Sequence, residues 1–553
     1  MKVFQPKILT ALKGYTKKQI ASDIVAGIIV AIIALPLSIA LAIASGVGPE
    51  QGLYTAIVAG FIIAAMGGSR VNISGPTAAF ATIVAGIVAT YGMSGLSLAT
   101  VMAGILLILM GVFKFGSLIK YIPYTITTGF TAGIAITIAV GQLKDFLGLS
   151  YPAGTENVET VDKVANVFKN IDTFNYQALL VGLLALAIQI IWPRINKKIP
   201  GSLIAVIIGV LVVKLAGLKV NTIGDLYSIS RSLPKFAAPK VSFSLIRELL
   251  PSAFTIAILA GIESLLSCVV SDGMIGSHHN SNTELIAQGT GNIASALFGG
   301  IPATGAIART AANVKNGGRS PIAGMVHAVV LLLILVVLMP YAALIPMPVI
   351  ASILFMVAYN MSEWRHFRDI CKTAPKSDIL VLFVTFALTV AFDLVVAIEV
   401  GMVLAAFLFL KRMTDVTEVR TWTYIAEDEH PVDELHGLKA VPEGVSVYEI
   451  NGPMFFAVAD KFVDIPLRDR DKVVIIRMRN VPAMDTTALR NLTNLCANLR
   501  KAGITVLLSH VNEQPMSVMK KGGFINQVGE ENFLPNIDAA LERAAELVGK
   551  TNE

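Results

Sequence analysis

Little in this sequence is charged. Of its 553 residues, 15% are Asp, Glu, Lys or Arg, 54% are hydrophobic, and the mean hydropathy is +0.70. An ordinary soluble chain carries about 25% charge, so a soluble globular protein is excluded and a polytopic membrane protein is expected. Cysteine is nearly absent: Cys268, Cys371 and Cys496 lie far apart, with neither ligand spacing nor a disulfide framework, so no metal is expected. A P-loop, a zinc spacing and a Ser-His-Asp pattern are missing too, which leaves no enzyme reading and no cofactor. The net charge of +6 and pI near 9.0 do not require nucleic acid, because basic loops orient membrane proteins.

What is present is one apolar run after another between residues 20 and 410, followed by ordinary soluble composition from 411 to 553. The expected divisions are a cytoplasmic segment 1–20, a transmembrane domain 21–412, a linker 413–442 and a soluble domain 443–553. Apolar stretches of roughly 20 residues, enough for a ~30 Å hydrocarbon layer, start near Ile24, Gln51, Leu98, Thr125, Tyr176, Ser202, Ala253, Ile322 and Met347. Four others are irregular: 76–90, 284–298, 299–318 and 378–410, the last interrupted by Asp393 and Glu399. Together these fit about fourteen crossings. Lys2, Lys7, Lys13, Lys17 and Lys18 at one end and Lys411-Arg412 at the other place both ends in the cytoplasm. The basic start and apolar run resemble a signal peptide, but the run is too long and no A-x-A-like site follows, so an uncleaved first span is expected.

Two of the irregular stretches resemble each other. In AMGGSRVNISGPTAAFATI (65–83) and GGIPATGAIARTAANVKNGG (299–318), a glycine pair and a polar interval with Pro lead into a helix-compatible run. Corresponding Gly/Pro-interrupted segments in two halves point to an inverted-repeat transporter whose broken helices meet near the membrane midplane. Seven spans per half make the repeats antiparallel. Each half-helix leaves its first N–H groups unpaired, and two such ends facing each other form an anion site. Ser74 and Thr77 bracket one entrance, Thr304 and Thr310 the other, and each hydroxyl can cap a helix or contact an anion.

Arg309 lies one turn into the second half-helix. A guanidinium at membrane depth costs about 2.5–3.5 kcal/mol on insertion scales, so it is expected to face a cavity, with an ion pair or a cytoplasmic loop as the competing placements. Glu263 stands in the middle of LLPSAFTIAILAGIESLLSCVVSDGM (249–274), with Ser267 one turn further on the same face. A lone carboxyl there is suited to take up a coupling H⁺ or, with nearby hydroxyls and carbonyls, Na⁺; its competing role is a static pair with Arg309.

Three long stretches carry a family resemblance: DIVAGIIVAIIALPLSIALAIASGVGPEQGLYTAI, then GGSRVNISGPTAA, then IESLLSCVVSDGMIGSHHNSNTELIAQGTGNIASALFGGIPATGAIARTAANV. They resemble the SulP anion permeases, relatives of sulfate transporters and prestin, and the similarity covers nearly the whole chain. The resemblance implies a polytopic all-α membrane domain of 14 spans, a 7+7 inverted repeat with core and gate domains. It implies two half-helices at the third and tenth spans, an elevator-like movement of the core, and a homodimer. Carried over position by position, the substrate contacts fall on Ser74, Gly75, Pro76 and Thr77 and on Ala306, Ile307, Ala308, Arg309 and Thr310, mostly through backbone N–H groups. The coupling acid of the eighth span falls on Glu263.

The chain departs from its eukaryotic relatives at Leu37, where many have Gln, and at Ala306 and Ala308, where prestin-like members have serines. GIESLL and AIARTAANV look closest to bacterial C4-dicarboxylate-transporting members, and bicarbonate carriers tend to have Asp at the position of Glu263, which favours H⁺ over Na⁺.

The other polar residues read as structural. His278-His279 precede a capped helix and suit a loop; Asp393 and Glu399 suit a hairpin; Lys144-Asp145 and Lys214 sit at apolar ends, where snorkelling suffices. In the tail, VSVYEINGPMFFAVAD, KVVIIRMRN and GITVLLSH read as buried strands, and 485–502, 513–521 and 536–548 as helices. That alternation gives a small cytoplasmic α/β domain, similar to a STAS domain. By the same likeness Thr486 takes the place of a phosphorylatable Ser and a cytoplasmic protein can dock there, although Asp485 is equally explained as a helix cap.

The expected function is secondary active transport of a small anion such as sulfate, a C4-dicarboxylate or bicarbonate into a bacterium across its cytoplasmic membrane, by proton symport. The alternatives are an uncoupled exchanger or channel, a Na⁺-coupled bicarbonate transporter, a nucleobase permease, and a membrane-anchored STAS signalling protein.

Overall fold

The computed structural model describes residues 4–12, 15–117, 123–152, 155, 159–196, 199–227, 232–392, 394–422, 441–456 and 471–549. Asp393, Lys2, Lys13 and most of the expected linker lie outside the described residues. The chain forms two compact units, Met1–Val403 and Leu404–Glu553.

Among the described residues, seven helices of the first unit are apolar and long enough to cross a membrane by themselves. The first half of the membrane domain begins with α1 (Lys17–Ala44), capped by Thr16, and α2 (Pro49–Met66), which starts on proline. At Gly67 the backbone turns extended and leads into a two-residue strand, β1 (Ser74–Gly75). A 3-10 turn at Ala78–Phe80 opens α3 (Ala81–Val112), which breaks at Gly92, where φ is +65°. Only glycine adopts that backbone without strain, so 81–91 and 93–112 are separate segments of one continuous stretch. Then come α4 (Tyr124–Leu147), α5 (Tyr176–Ile195) and α6 (Gly201–Ala216).

The second half repeats this order. Ser242 caps α7 (Phe243–Ile275), and Asn280 caps α8 (Ser281–Leu297). An extended stretch holding β2 (Thr304–Gly305) leads into the nine-residue α9 (Ile307–Lys315), followed by α10 (Pro321–Ala342), α11 (Met347–Ser362), α12 (Lys376–Ala391) and α13 (Leu394–Val416). Counting α3 as two and leaving aside the short helices Ile8–Ala11, Thr160–Lys169, Ile223–Leu226 and Trp364–Thr373, the described residues give seven segments in each half. α7 begins ten residues before the apolar run suggests, because Ser242 accepts from the Leu245 N–H and starts the helix in its polar flank.

Packing sorts these helices into two groups. α1, α2, α3, α7, α8, α9 and α10 pack mainly on one another, and α4 packs with α11 and α12 while α5 packs with α6 and α11. Within the first group β1 and β2 pair antiparallel, Ser74 opposite Gly305 and Gly75 opposite Thr304, and the Ala306 N–H donates to the Ile73 carbonyl at 2.8 Å. Sequence periodicity gives no sign of this pairing. Its cause is the membrane: extended backbone at that depth has no water, so the two interruptions satisfy each other's polar groups.

Among the described residues, the second unit contains a five-stranded sheet in the order β3 (Glu418–Trp422), β4 (Val445–Asn451), β5 (Val473–Asn480), β6 (Thr505–Ser509), β7 (Phe533–Leu534). β3 is antiparallel to β4 and every other pair is parallel. Alternate residues of β5 serve two cores: Val474, Ile476 and Met478 pack with α14 (Thr486–Lys501), and Val473 and Ile475 with α16 (Ile537–Gly549). Between β6 and β7 lies α15 (Glu513–Lys521). Three strands and three helices were expected; β3 falls inside the stretch read as linker, and β7 has two residues, too few to show a period.

Candidate functional site

The two interruptions bring two helix starts together, and neither has a side-chain cap. Thr77 precedes the 3-10 turn of α3 and Ala306 precedes α9, and among the described residues no side chain caps either start. Thr77 is half-buried, and Ile307 and Ala308 are exposed. The first-turn N–H groups and the dipoles behind them favour an anion there.

Arg309 is 3% exposed and crosses between the halves. Its Nη2 donates to the Pro76 carbonyl, and its Nη1 is buried without a hydrogen-bond partner. Gly75 makes that placement possible: a Cβ there would lie 2.6 Å from Nη1. Buried donors are nearly always paired, so an unpaired guanidinium N–H between two uncapped helix starts is the unusual feature of the site.

Glu263 does not pair with Arg309. Its Oε2 accepts from Thr77 Oγ1 at 3.0 Å, and among the described residues no ion pair joins it to a cation. The static pair considered from the sequence is therefore not what forms; one residue of the first entrance holds the acid and the carbonyl before it holds the base.

The remaining hydroxyls are used in packing. Ser74 Oγ accepts from Gln288 Nε2 at 3.0 Å, and Thr304 Oγ1 donates to the Ala260 carbonyl at 2.8 Å. Thr310 Oγ1 accepts from the Ile73 N–H at 3.0 Å, and Ser267 Oγ donates to Asn72 Oδ1 at 2.7 Å. None of the four caps a helix start, and Ser267 stands apart from Glu263 in this network. The sequence reading missed Asn72, Glu284 and Gln288, all buried polar residues around β1. It also missed His327 of α10, fully buried with neither ring nitrogen hydrogen-bonded. Polar residues scattered through apolar helices were the available signal.

Away from the site, His279 does belong to a turn. Its Nδ1 lies 2.7 Å from Asp272 Oδ2 and its Nε2 3.0 Å from Ser281 Oγ, and the same carboxylate accepts the His279 backbone N–H at 2.6 Å. This Asp-His-Ser alignment, invisible as a motif, braces the turn between α7 and α8. Nearby, Asp23 accepts from the Arg319 N–H at 2.6 Å and from Tyr15, whose phenol burial pushes up to about 12, helped by that carboxylate. In the second unit Asp485 caps α14, accepting from the Ala488 N–H at 2.8 Å, and Thr486 is exposed at the first helical position. Burial pushes the Cys496 thiol up to about 12. No cluster of His, Cys, Asp and Glu able to hold a metal occurs among the described residues.

With this geometry in place, the chain can be compared with known proteins. Residues 20–385 match the sulfate permease family and 438–540 the STAS domain. The chain is 40% identical over 531 residues to the Bacillus subtilis (strain 168) protein named "Putative sulfate transporter YvdB", covering 95% of this chain and 98% of that one. It is 32% identical over 545 residues to the bicarbonate transporter BicA of Picosynechococcus sp., covering 95% of each. The fold is that of the murine anion transporter Slc26a9 in its inward-facing state, with a TM-score of 0.88 at 19% identity over 98% of this chain and 94% of the other. The chain thus belongs to the sulfate permease family: it is a multi-pass membrane anion transporter with a 7+7 fold and a C-terminal STAS domain.

Proposed function

We propose that the protein is a secondary active transporter that moves a small anion, sulfate or bicarbonate before a C4-dicarboxylate, together with a proton. The observation that carries this reading is the unpaired Nη1 of Arg309 between two uncapped helix starts. The anion is bound there by backbone N–H groups and one guanidinium. Ala306 and Ala308 add no hydroxyl, and Ser74, Thr304 and Thr310 spend theirs elsewhere. Such a site recognises charge and size more than hydroxyl pattern, which suits a compact inorganic anion. The names of the two relatives, one for sulfate and one for bicarbonate, support the same pair.

Coupling follows from the position of Glu263. It shares Thr77 with the first entrance, so a proton on its carboxyl removes a negative charge beside the bound anion. Proton and anion then each raise the other's affinity by the same factor. Substrate contacts are assigned to the first-turn N–H groups that follow Thr77 and Ala306 and to the Arg309 guanidinium; Ser74, Gly75, Pro76, Ala306 and Thr310 shape the site, the Pro76 carbonyl and the Ala306 and Thr310 N–H groups being already bonded within the protein, and Ser267 supports it. The group of helices containing the site moves past the other as a unit, the protein works as a homodimer in the cytoplasmic membrane with both ends inside, and Thr486 and the STAS domain serve regulation.

Uptake into proteoliposomes, with H⁺ and Na⁺ gradients imposed separately, tests this across sulfate, bicarbonate, succinate and fumarate. An inward H⁺ gradient is expected to drive accumulation of sulfate or bicarbonate. Drive by Na⁺ alone would replace the proton with Na⁺, and no uptake of any of the four would overturn the reading.

A further inference from the structure

Besides Glu263 and Arg309, a third charged residue stands next to the site. Glu284, in the first turn of α8, is fully buried. Its Oε2 accepts from the backbone N–H groups of Gly68 at 2.9 Å and Ser69 at 3.2 Å. Its Oε1 accepts from Asn72 Nδ2 at 2.8 Å, Ser264 Oγ at 3.1 Å and Gln288 Nε2 at 3.1 Å. All five partners donate, and Ser264 in turn accepts from Gln288 at 2.7 Å, which fixes its own proton towards the carboxylate. A carboxylate, which only accepts, suits this cage of donors.

Two arms lead from this cage to the anion site. Gln288 Nε2 also lies 3.0 Å from Ser74 Oγ, its two hydrogens shared among three acceptors, which ties β1 to the cage. Asn72 uses its other atom, Oδ1, to accept from Ser267 at 2.7 Å and from Thr310 Oγ1 at 3.1 Å, and Thr310 accepts the Ile73 N–H. One arm therefore ends on β1 and the other on α9, one residue after Arg309. Both carboxylate oxygens are satisfied, although Gln288 Oε1 is buried without a partner; removing a member of such a network leaves further groups unpaired.

We propose that Glu284 is a positioning residue of the anion site: as a fixed carboxylate it sets β1 against α9 through Gln288 and Asn72, and so places Arg309 and both helix starts. This rests on the anion site being the one described above. It gives the two acids of the core different work, Glu284 holding geometry with five donors and Glu263 exchanging its proton beside a single one.

The test compares Glu284→Gln, Gln288→Met and Ser264→Ala with the full-length wild type. Each is measured for KM and maximal uptake per folded transporter in proteoliposomes, and for hydrogen-deuterium exchange. Glu284→Gln keeps the shape but turns an NH₂ onto N–H donors. Because misplacing binding groups by about an ångström costs up to a hundredfold, KM is expected to rise about tenfold in Glu284→Gln, and less in the other two, with maximal uptake little changed. Exchange is expected to quicken in peptides covering 67–77 and 304–312 and nowhere else. A role in folding alone would lower the yield and the melting temperature with KM unmoved. Folded Glu284→Gln or Gln288→Met with wild-type KM and wild-type exchange would overturn the proposal; should Glu284→Gln not fold, the same result in Gln288→Met and Ser264→Ala overturns it. If the wild type moves none of the four anions, the anion reading fails by itself, and local exchange still decides whether Glu284 positions the two segments.

Discussion

The two interruptions of the membrane domain do the same backbone work with different side chains. Each leaves a helix at a glycine, runs extended through two paired residues, and starts an uncapped helix. The first contributes Thr77, held by Glu263, and the Pro76 carbonyl, held by Arg309; the second contributes Arg309 itself. The backbone symmetry makes an anion site from two dipoles, while the asymmetry divides charge and proton between the halves. The first interruption is the place where acid and base meet without pairing.

Breaking the second interruption is expected to cost most. Arg309→Ala removes a desolvated charge and its hydrogen bond to the Pro76 carbonyl, and uptake is expected to fall by about a hundredfold or more, with Arg309→Lys retaining part of it. Next, Glu263→Gln is expected to abolish accumulation driven by a pH gradient while leaving exchange of anion for anion measurable. Loss of both together would show that the acid serves binding and not coupling. Gly75→Ala sharpens the link between the halves: its Cβ would stand 2.6 Å from Arg309 Nη1. Displacing that group is expected to raise KM about tenfold, and an unchanged KM would show that Nη1 is not used. Smallest is Thr77→Val, which removes one hydrogen bond to Glu263 and is expected to alter uptake about two- to tenfold, with a shift in its pH profile.

The apolar runs made the spans legible in the sequence, and the Gly/Pro signals located both interruptions, because these features answer directly to the bilayer and to backbone geometry. Arg309 and Glu263 stood out for the same reason: charge inside an apolar run has few explanations. The sequence did not show how they are satisfied. Arg309 takes the Pro76 carbonyl, and Glu263 takes Thr77, contacts made across the chain by residues with no pattern of their own. Glu284 was hidden in NSNTEL, where an acid in a capped first turn looks like ordinary helix initiation. The two-residue strands and β7 are too short for any periodicity to report.

The location of the anion is the central claim, and a cysteine at Ala308 reads it out. Ala308 is exposed at the start of α9. With Cys371 replaced by Ser, the remaining thiols are buried: Cys268 fully, and Cys496 with its pKa pushed up to about 12, so that almost no thiolate exists at pH 8. Ala308→Cys should then be the site labelled by a small thiol reagent in proteoliposomes. The transported anion should slow that labelling with a half-effect at its KM. Labelling unaffected by saturating anion would contradict the account.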